Sequence, residues 1–275
     1  MEETKRSRVE VLCATMNQKD VYIKYEDMNI NTDVVFANQS DYFAFEVKNI
    51  GKNEIKIITT NYRGVGNNRN LALLNATSDI CIFADDDIRY MNDYEKNIER
   101  AYDELPDADI IVFNCISQSK ERKKIKKIHR VRYWNFMRYG TIRITAKTRS
   151  IKKHNLTFSE LFGGGSKYCS GEDNLFLKEA LDKGLKVYAY PCELLNVNEE
   201  KSTWFEGYNE KYFFDHGAWI QASFPKLKYI LIFIFFLKFK IRNIDNDNIS
   251  IRNMILGARG YKKDMSFIEW KNKMG

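Results

Sequence analysis

Residues 79 to 87 read DICIFADDD, an unbroken apolar run that ends in three consecutive carboxylates. Apolar residues that run on rather than alternate predict a strand buried on both faces, as a parallel sheet between helices requires. Upstream, similar runs occur from Val9 to Thr15, from Asp33 to Ala37 (DVVFA) and from Glu54 to Thr59 (EIKIIT), and downstream from Ala108 to Asn114 (ADIIVFN). Helical stretches are predicted between them. One starts near Asn17, a residue suited to an N-cap. One is opened by the glycine-containing loop NYRGVGN (61–67) and runs through Ala76, and one extends from about Asn92 to Glu104, before Pro106. This rhythm predicts an α/β fold: a mainly parallel mixed sheet flanked by helices. Ligands of such sheets bind beyond the carboxyl ends of the strands, where both Thr15-Met16-Asn17 and Asp85-Asp86-Asp87 fall.

Further along, Lys120 to Arg132 (KERKKIKKIHRVR) is a dense basic run, readable as a solvated face or as a phosphate- or membrane-facing one. A strand is expected from Thr141 to Ala146. Gly163-Gly164-Gly165 precedes Gly171-Glu172-Asp173-Asn174, which opens a helix ended by Gly184 as its C′ residue. Leu185 to Tyr190 is a last strand, expected to stop at Pro191. The tail changes composition. Leu227 to Leu237 (LKYILIFIFFL) is apolar and bracketed by Lys226, Lys228, Lys238, Lys240 and Arg242. A spanning helix needs about 20 apolar residues, so this one is too short to cross a bilayer. It reads as a buried core helix or as an interfacial segment facing anionic lipid, the second being favoured by its flanking lysines. Ser250 to Phe267 reads as a short amphipathic helix. The organisation expected is a catalytic domain over residues 1–220 and a C-terminal helical extension over 221–275.

The 275 residues suffice for a sizeable core, and 44% of them are hydrophobic. The net charge of +7 suits acidic partners, but no nucleic-acid recognition motif accompanies it, so nucleic acid is not expected as a partner. Five scattered cysteines show neither a disulfide framework nor metal-ligand spacing. The charged opening MEETKRSR lacks the apolar core of a secretory signal. Both features point to the cytoplasm.

Three elements carry candidate chemistry. Adjacent carboxylates disfavour one another's ionisation. A hard divalent cation such as Mg²⁺ or Mn²⁺ relieves this, binding through one or two carboxylates and completing its shell with water and substrate phosphate. An acidic turn capping the next helix is the plain alternative. Glu172 and Asp173, at a helix start, are either caps or a general base for an attacking hydroxyl. In the segment RGVGNNRN (63–70), Arg63 and Arg69 are candidates for bidentate phosphate binding, or for a structural ion pair. Its glycine spacing matches neither a P-loop nor a dinucleotide fingerprint.

Together and in this order, VEVLCATMNQ, RGVGNNRNLAL, FADDD, FGGGSKYCSGEDNLFL and STWFEGYNEKYF resemble the family 2 glycosyltransferases, inverting enzymes of the GT-A fold, over roughly Val9 to Trp219. The resemblance implies that Asp87 binds the metal, with Asp85 and Asp86 at the ribose or the metal–diphosphate. It makes Asp173 the catalytic base and sets Glu172 against the acceptor. Thr15, Asn17 and Asn38 fall where the family recognises base and ribose. Gly164, Gly165 and Trp204 are acceptor-side candidates, with a plain turn for the glycines and core packing for Trp204 as the simpler readings. Two departures stand out. The acidic pair that many relatives carry after the second strand is replaced by Asn38 and Gln39, and no histidine follows the last strand, where Asn196 or Asn198 stands.

The expected reaction is a metal-assisted single displacement. The donor is a nucleotide-diphosphate sugar, UDP-linked by preference, and the acceptor a lipid-linked or other oligosaccharide of a bacterial surface polysaccharide. The enzyme is expected to be peripheral on the inner face of the plasma membrane. The rivals are a sugar-nucleotide nucleotidyltransferase, whose glycine- and lysine-rich N-terminal loop is missing here, and a membrane-associated scaffold, which leaves the acidic motifs unused.

Overall fold

The computed structural model describes residues 7–117, 124–197, 207–244 and 249–274. The chain forms two compact units: Met1–Phe158 with Asp173–Lys201, and Ser159–Glu172 with Ser202–Gly275. Residues 159–172 thus leave the first unit and join the C-terminal part, a division that composition along the chain does not reveal.

The first unit comprises β1 (Val9–Met16), α1 (Val21–Asp27), β2 (Asp33–Gln39), β3 (Ala44–Ile50), β4 (Asn53–Thr60), α2 (Val65–Asn75), β5 (Ile80–Asp85), β6 (Ile88–Tyr90) and α3 (Tyr94–Glu104). After these come β7 (Ile110–Ile116), β8 (His129–Arg130), β9 (Ile144–Lys147), α4 (Thr148–Lys153), α5 (Glu172–Asp182) and β10 (Val187–Val197). The strands form one mixed sheet in the order β3-β4-β2-β1-β5-β9-β7-β10-β6, with β8 on β10. β4, β2, β1 and β5 run parallel. As their continuous apolar sequences require, β1 and β2 are buried along nearly their whole length. The register sets Ala14 beside Asp85, Thr15 beside Asn38 and Asn38 beside Thr59. The polar ends of the parallel strands therefore line one carboxyl edge. β9 is antiparallel to both β5 and β7, which makes the sheet mixed.

Three local expectations are corrected. The first helix is capped not by Asn17 but by Asp20, whose side chain accepts from Tyr22 N. Asn17 instead takes a left-handed backbone (φ 54°) that extends the loop, and its N–H donates to Gln39 O at 2.8 Å. Pro191 does not end the last strand: β10 passes through it with register shifts between Ala189 and Leu195, where the missing N–H needs no ladder partner. Residues 141–143 form a 3₁₀ turn, so β9 starts only at Ile144.

The second unit contains α6 (Glu210–Ser223), α7 (Lys228–Ile241), α8 (Ile249–Lys262) and α9 (Phe267–Met274). α6 runs through the boundary that composition suggested at 220/221. The helix expected over 250–267 is divided in two. α8 closes on Asp264 in a left-handed conformation (φ 51°), and α9 starts from a capping box in which Ser266 N donates to Glu269 and Glu269 N donates back to Ser266 Oγ. α6 and α8 cross at glycines: a Cβ on Gly217 would overlap the Met254 carbonyl, and one on Gly257 the Phe214 carbonyl. On α7 only Ile232 and Phe239 are buried, whereas Tyr229, Ile230, Phe233, Ile234, Leu237 and Ile241 are exposed. No helix among the described residues is long and apolar enough to cross a membrane.

Candidate functional site

The acidic triplet lies where β5 leaves the core: Asp85 is the last residue of the strand, and Asp86 and Asp87 form the turn into β6. All three are half-buried. Asp85 is held from α2, where the guanidinium of Arg69, only 3% exposed, donates through Nη2 to Asp85 Oδ1 at 2.7 Å. The guanidinium carbon also sits 5.4 Å from the centre of the Phe158 ring. α2 starts at Gly64, whose φ of 100° favours glycine and whose N–H donates to Gln39 Oε1 at 2.9 Å.

Asp86 is held from the end of β1. Its Oδ2 accepts from Thr15 Oγ1 at 2.5 Å and from Gln18 Nε2 at 3.2 Å, while Lys24 Nζ donates to its backbone oxygen at 3.2 Å. The Thr15 carbonyl accepts in turn from Asn68 on α2. Asn38, 1% exposed, spends its amide on the loop: Oδ1 accepts from Gln18 N, and Nδ2 donates to Gln18 O and Thr59 Oγ1. It shapes the edge from beneath, while Asn17 is exposed on the loop above it. Arg63 is exposed and pairs with Asp41 across the strand ends, so the two arginines of one segment have separate carboxylate partners. The Cys13 thiol beneath this edge is pushed well above its usual range by burial, with Asp86 and Asp85 adding to the effect, and so remains protonated packing.

The second carboxylate element stands at the start of α5. Asp173 Oδ1 accepts from Asn174 N at 2.6 Å and from Asn174 Nδ2 at 2.9 Å. A Cβ on Gly140 would lie 3.4 Å from Asp173 Oδ2. α5 is fixed to the strand that bears the triplet by aromatic packing. Phe176 stacks on Phe158 with centroids 4.3 Å apart, and both rings meet Phe83 of β5 edge-on. β10 returns to the same strand end, pairing Val197 with Ile88, the residue after Asp87, and Asn196 with Arg89.

In the second unit, Gly163 and Gly165 take positive φ in a tight turn, with Gly164 half-buried between them and Gly165 exposed. Residues 169–171, just ahead of Glu172, are pinned within that unit. Cys169 N donates to the fully buried Asp215 carboxylate, and the Trp219 ring occupies the space a side chain on Gly171 would need. Trp204 and Asn198 lie outside the described residues.

Among the described residues, no group of three or more histidine, cysteine or acidic side chains is gathered as a ready-made metal cage. The carboxylates present are oxygen donors of the number Mg²⁺ or Mn²⁺ takes when substrate phosphate completes the shell.

The family model described as "Glycosyl transferase family 2" matches residues 28–185, more than half of the chain. The chain belongs to glycosyl transferase family 2. The matched stretch contains Arg63, Arg69, the acidic triplet, Glu172 and Asp173. No curated protein matches this family 2 glycosyltransferase in sequence. Among solved structures it is similar to residues 1–349 of S. aureus TarS in complex with UDP-GlcNAc, at 14% identity and a TM-score of 0.60, over 94% of this chain and 93% of that one. The same fragment with UDP gives a TM-score of 0.58 at 13% identity, over 94% and 92% of the two chains. Against the longer S. aureus TarS the TM-score is 0.56 at 14% identity; 94% of this glycosyltransferase aligns, but it spans only 44% of that chain. The shared architecture is the GT-A fold expected from the sequence.

Three residues of this glycosyltransferase's site escape sequence reading: Gln18, Lys24 and Asn68. Gln18 and Asn68 lie inside the segments VEVLCATMNQ and RGVGNNRN but are common polar residues that nothing singles out there. Lys24 lies outside any motif, and only the fold brings each to Asp86 or Thr15. Lys24, one turn into α1, had a weak signal, as a cation in a helix that follows a strand end.

Proposed function

We propose that this glycosyltransferase moves a sugar from a nucleotide-diphosphate sugar, with a UDP-sugar as donor, to a hydroxyl of a lipid-linked or oligosaccharide acceptor of bacterial surface polysaccharide, with inversion at the anomeric carbon. The observation that carries this reading is the carboxyl-edge cluster in which Arg69 orients Asp85 while Thr15 and Gln18 orient Asp86. Two aligned carboxylates, a turn aspartate and cationic neighbours form a place for a diphosphate and its cation.

Asp173 takes the acceptor hydroxyl proton as that oxygen attacks the anomeric carbon, and the bond from that carbon to the diphosphate oxygen breaks, releasing the nucleoside diphosphate. Asp87, assisted by Asp85, would hold Mn²⁺ or Mg²⁺, which when bound supplies charge neutralisation at the leaving diphosphate. Thr15 and the exposed Asn17 loop face the nucleoside, and Asn38 acts by fixing that loop. Arg63, at the exposed end of the same edge, exchanges Asp41 for phosphate. Glu172, Gly164 and Gly165, with Trp204, are assigned to the acceptor.

α7 supports a membrane-facing role at the inner face of the plasma membrane. Its exposed apolar side chains and flanking lysines fit an anionic interface better than a core helix, which would bury them.

The donor is tested by the thermal shift of the purified protein with a panel of nucleotide sugars, with and without Mn²⁺. Stabilisation by UDP-sugars that is lost on chelation is expected, because ligand bound only to the native state raises its melting temperature. Stabilisation by no nucleotide sugar, or equally by all of them without metal, would overturn the assignment.

A further inference from the structure

Among the described residues, β3 is an end strand of the sheet, paired on one side only. Its seven residues are exposed on both faces apart from the partly buried Ala44. Its register with β4 runs unbroken from Ala44–Thr59 to Ile50–Asn53, across a two-residue turn with Gly51 at φ 59°. Natural edges are blunted by prolines, bulges, a covering element or charged side chains, lysine above all. β3 has no proline and no bulge, and its two charges, Glu46 and Lys48, are of opposite sign, so they block only the registers that set like against like. In the remaining registers the edge is a template for another strand.

The pattern of β3 specifies what that strand is. A two-residue hairpin loop closes on a hydrogen-bonded pair, here Ile50–Asn53, and the pairs alternate from there. The outward-facing backbone groups therefore belong to Asn49, Val47 and Phe45. Antiparallel pairing of this edge with its own copy must join odd residues to odd, with the two-fold axis on a residue. Centred on Glu46 it sets Glu46 against Glu46, and centred on Lys48 it opposes two lysines. Centred on Val47 it sets Glu46 opposite Lys48 twice, and Phe45 opposite Asn49. That register also joins the exposed row Phe43, Phe45 and Val47 to its symmetry mate as one apolar ridge, since alternate residues share a face. Lys48 Nζ lies 4.2 Å from the centre of the Tyr22 ring and 3.8 Å from Glu46 Oε2; both contacts are made at an exposed side chain and are weak enough to be exchanged for, or shared with, the cross-strand pairs.

We infer that β3 is a self-recognition edge. Two copies of this chain pair antiparallel about Val47 and continue the sheet through an isologous interface. The inference is independent of the donor and the acceptor.

The full-length protein is examined by sedimentation velocity over a concentration series, with circular dichroism to confirm folding. Wild type is expected to form a dimer. Glu46→Lys and Lys48→Glu, each of which sets like charges opposite one another, should weaken dimerisation by about ten-fold or more. An equimolar mixture of the two variants should recover the dimer, because each then supplies the charge the other lacks. Both variants act at exposed positions, and the mixture controls for misfolding. A wild type that stays monomeric, a dimer untouched by either variant, or a dimer abolished instead by Phe233→Asp on α7 would overturn the inference.

Discussion

Arg69 lies almost wholly within the protein, yet its guanidinium reaches Asp85 Oδ1 at 2.7 Å, at the point where β5 emerges. The partners differ in exposure: the arginine side chain is 4% accessible and the aspartate 39%. Removing the aspartate takes a carboxylate away from a buried cation, whereas removing the arginine leaves a carboxylate that water still reaches. The pair therefore orients Asp85 more than it stabilises the fold.

Arg69→Met should lower unfolding free energy by about 1–3 kcal/mol, the usual range for a lost charge-assisted hydrogen bond. Asp85→Ala should cost more, because the carboxylate is then lost to a buried cation rather than a cation to a half-exposed carboxylate. Urea unfolding with unchanged m-values measures both. An Asp85 variant less damaging than Arg69→Met would refute this reading of the pair.

Asp173→Asn keeps the size of the side chain and removes its basicity. Transfer should fall by roughly 10²–10⁴-fold, the range for a general base, with donor affinity within about two-fold of wild type. Single-turnover assays and calorimetry separate the two effects. Near-normal turnover would move the base elsewhere.

The parallel strands were legible because burial on both faces demands continuous apolar residues, which β1, β2, β5 and β7 display. β3 was not legible: AFEVKNI is exposed almost throughout, so burial imposed no pattern on it. At the start of α1 the expected cap, Asn17, takes a left-handed backbone, and Asp20, three residues on, caps the helix instead. At the site, the carboxylates were readable from their place at a strand end and a helix start. Arg63 and Arg69 were not distinguishable, because local sequence does not say that one faces solvent while the other enters the core.

The α6–α8 crossing rests on backbone contact at two glycines. Gly217→Ala and Gly257→Ala each drive a methyl group into a main-chain carbonyl that cannot swing aside. Each should destabilise by about 1–3 kcal/mol or more, as overpacking does, despite alanine's better helix propensity. Gly184→Ala provides the contrast: among the described residues nothing lies within 4 Å of the added methyl, so its φ of 79° is what opposes the change. Thermal melts giving equal losses at all three positions would show that backbone conformation rather than the crossing is responsible.

His216 gives the second unit a pH dependence of calculable sign. Its ring sits among Tyr212, Trp219, Phe235 and Phe239, and its Nε2 has no hydrogen-bond partner among the described residues. Burial, reinforced by Lys238, lowers its pKa from 6.5 to about 4. In the folded chain the imidazole stays neutral down to that value, whereas in the unfolded chain it takes up a proton below 6.5. Its contribution is therefore fully present above pH 6.5 and is lost progressively as pH falls toward about 4. His216→Phe removes this titration while keeping an aromatic ring. The difference in unfolding free energy between wild type and variant should shrink, or reverse in the variant's favour, across that window and stay level above it. The subtraction cancels the carboxylates that titrate in the same range. A difference that does not change with pH would mean that the imidazole is already protonated, or equally solvated, in the folded protein.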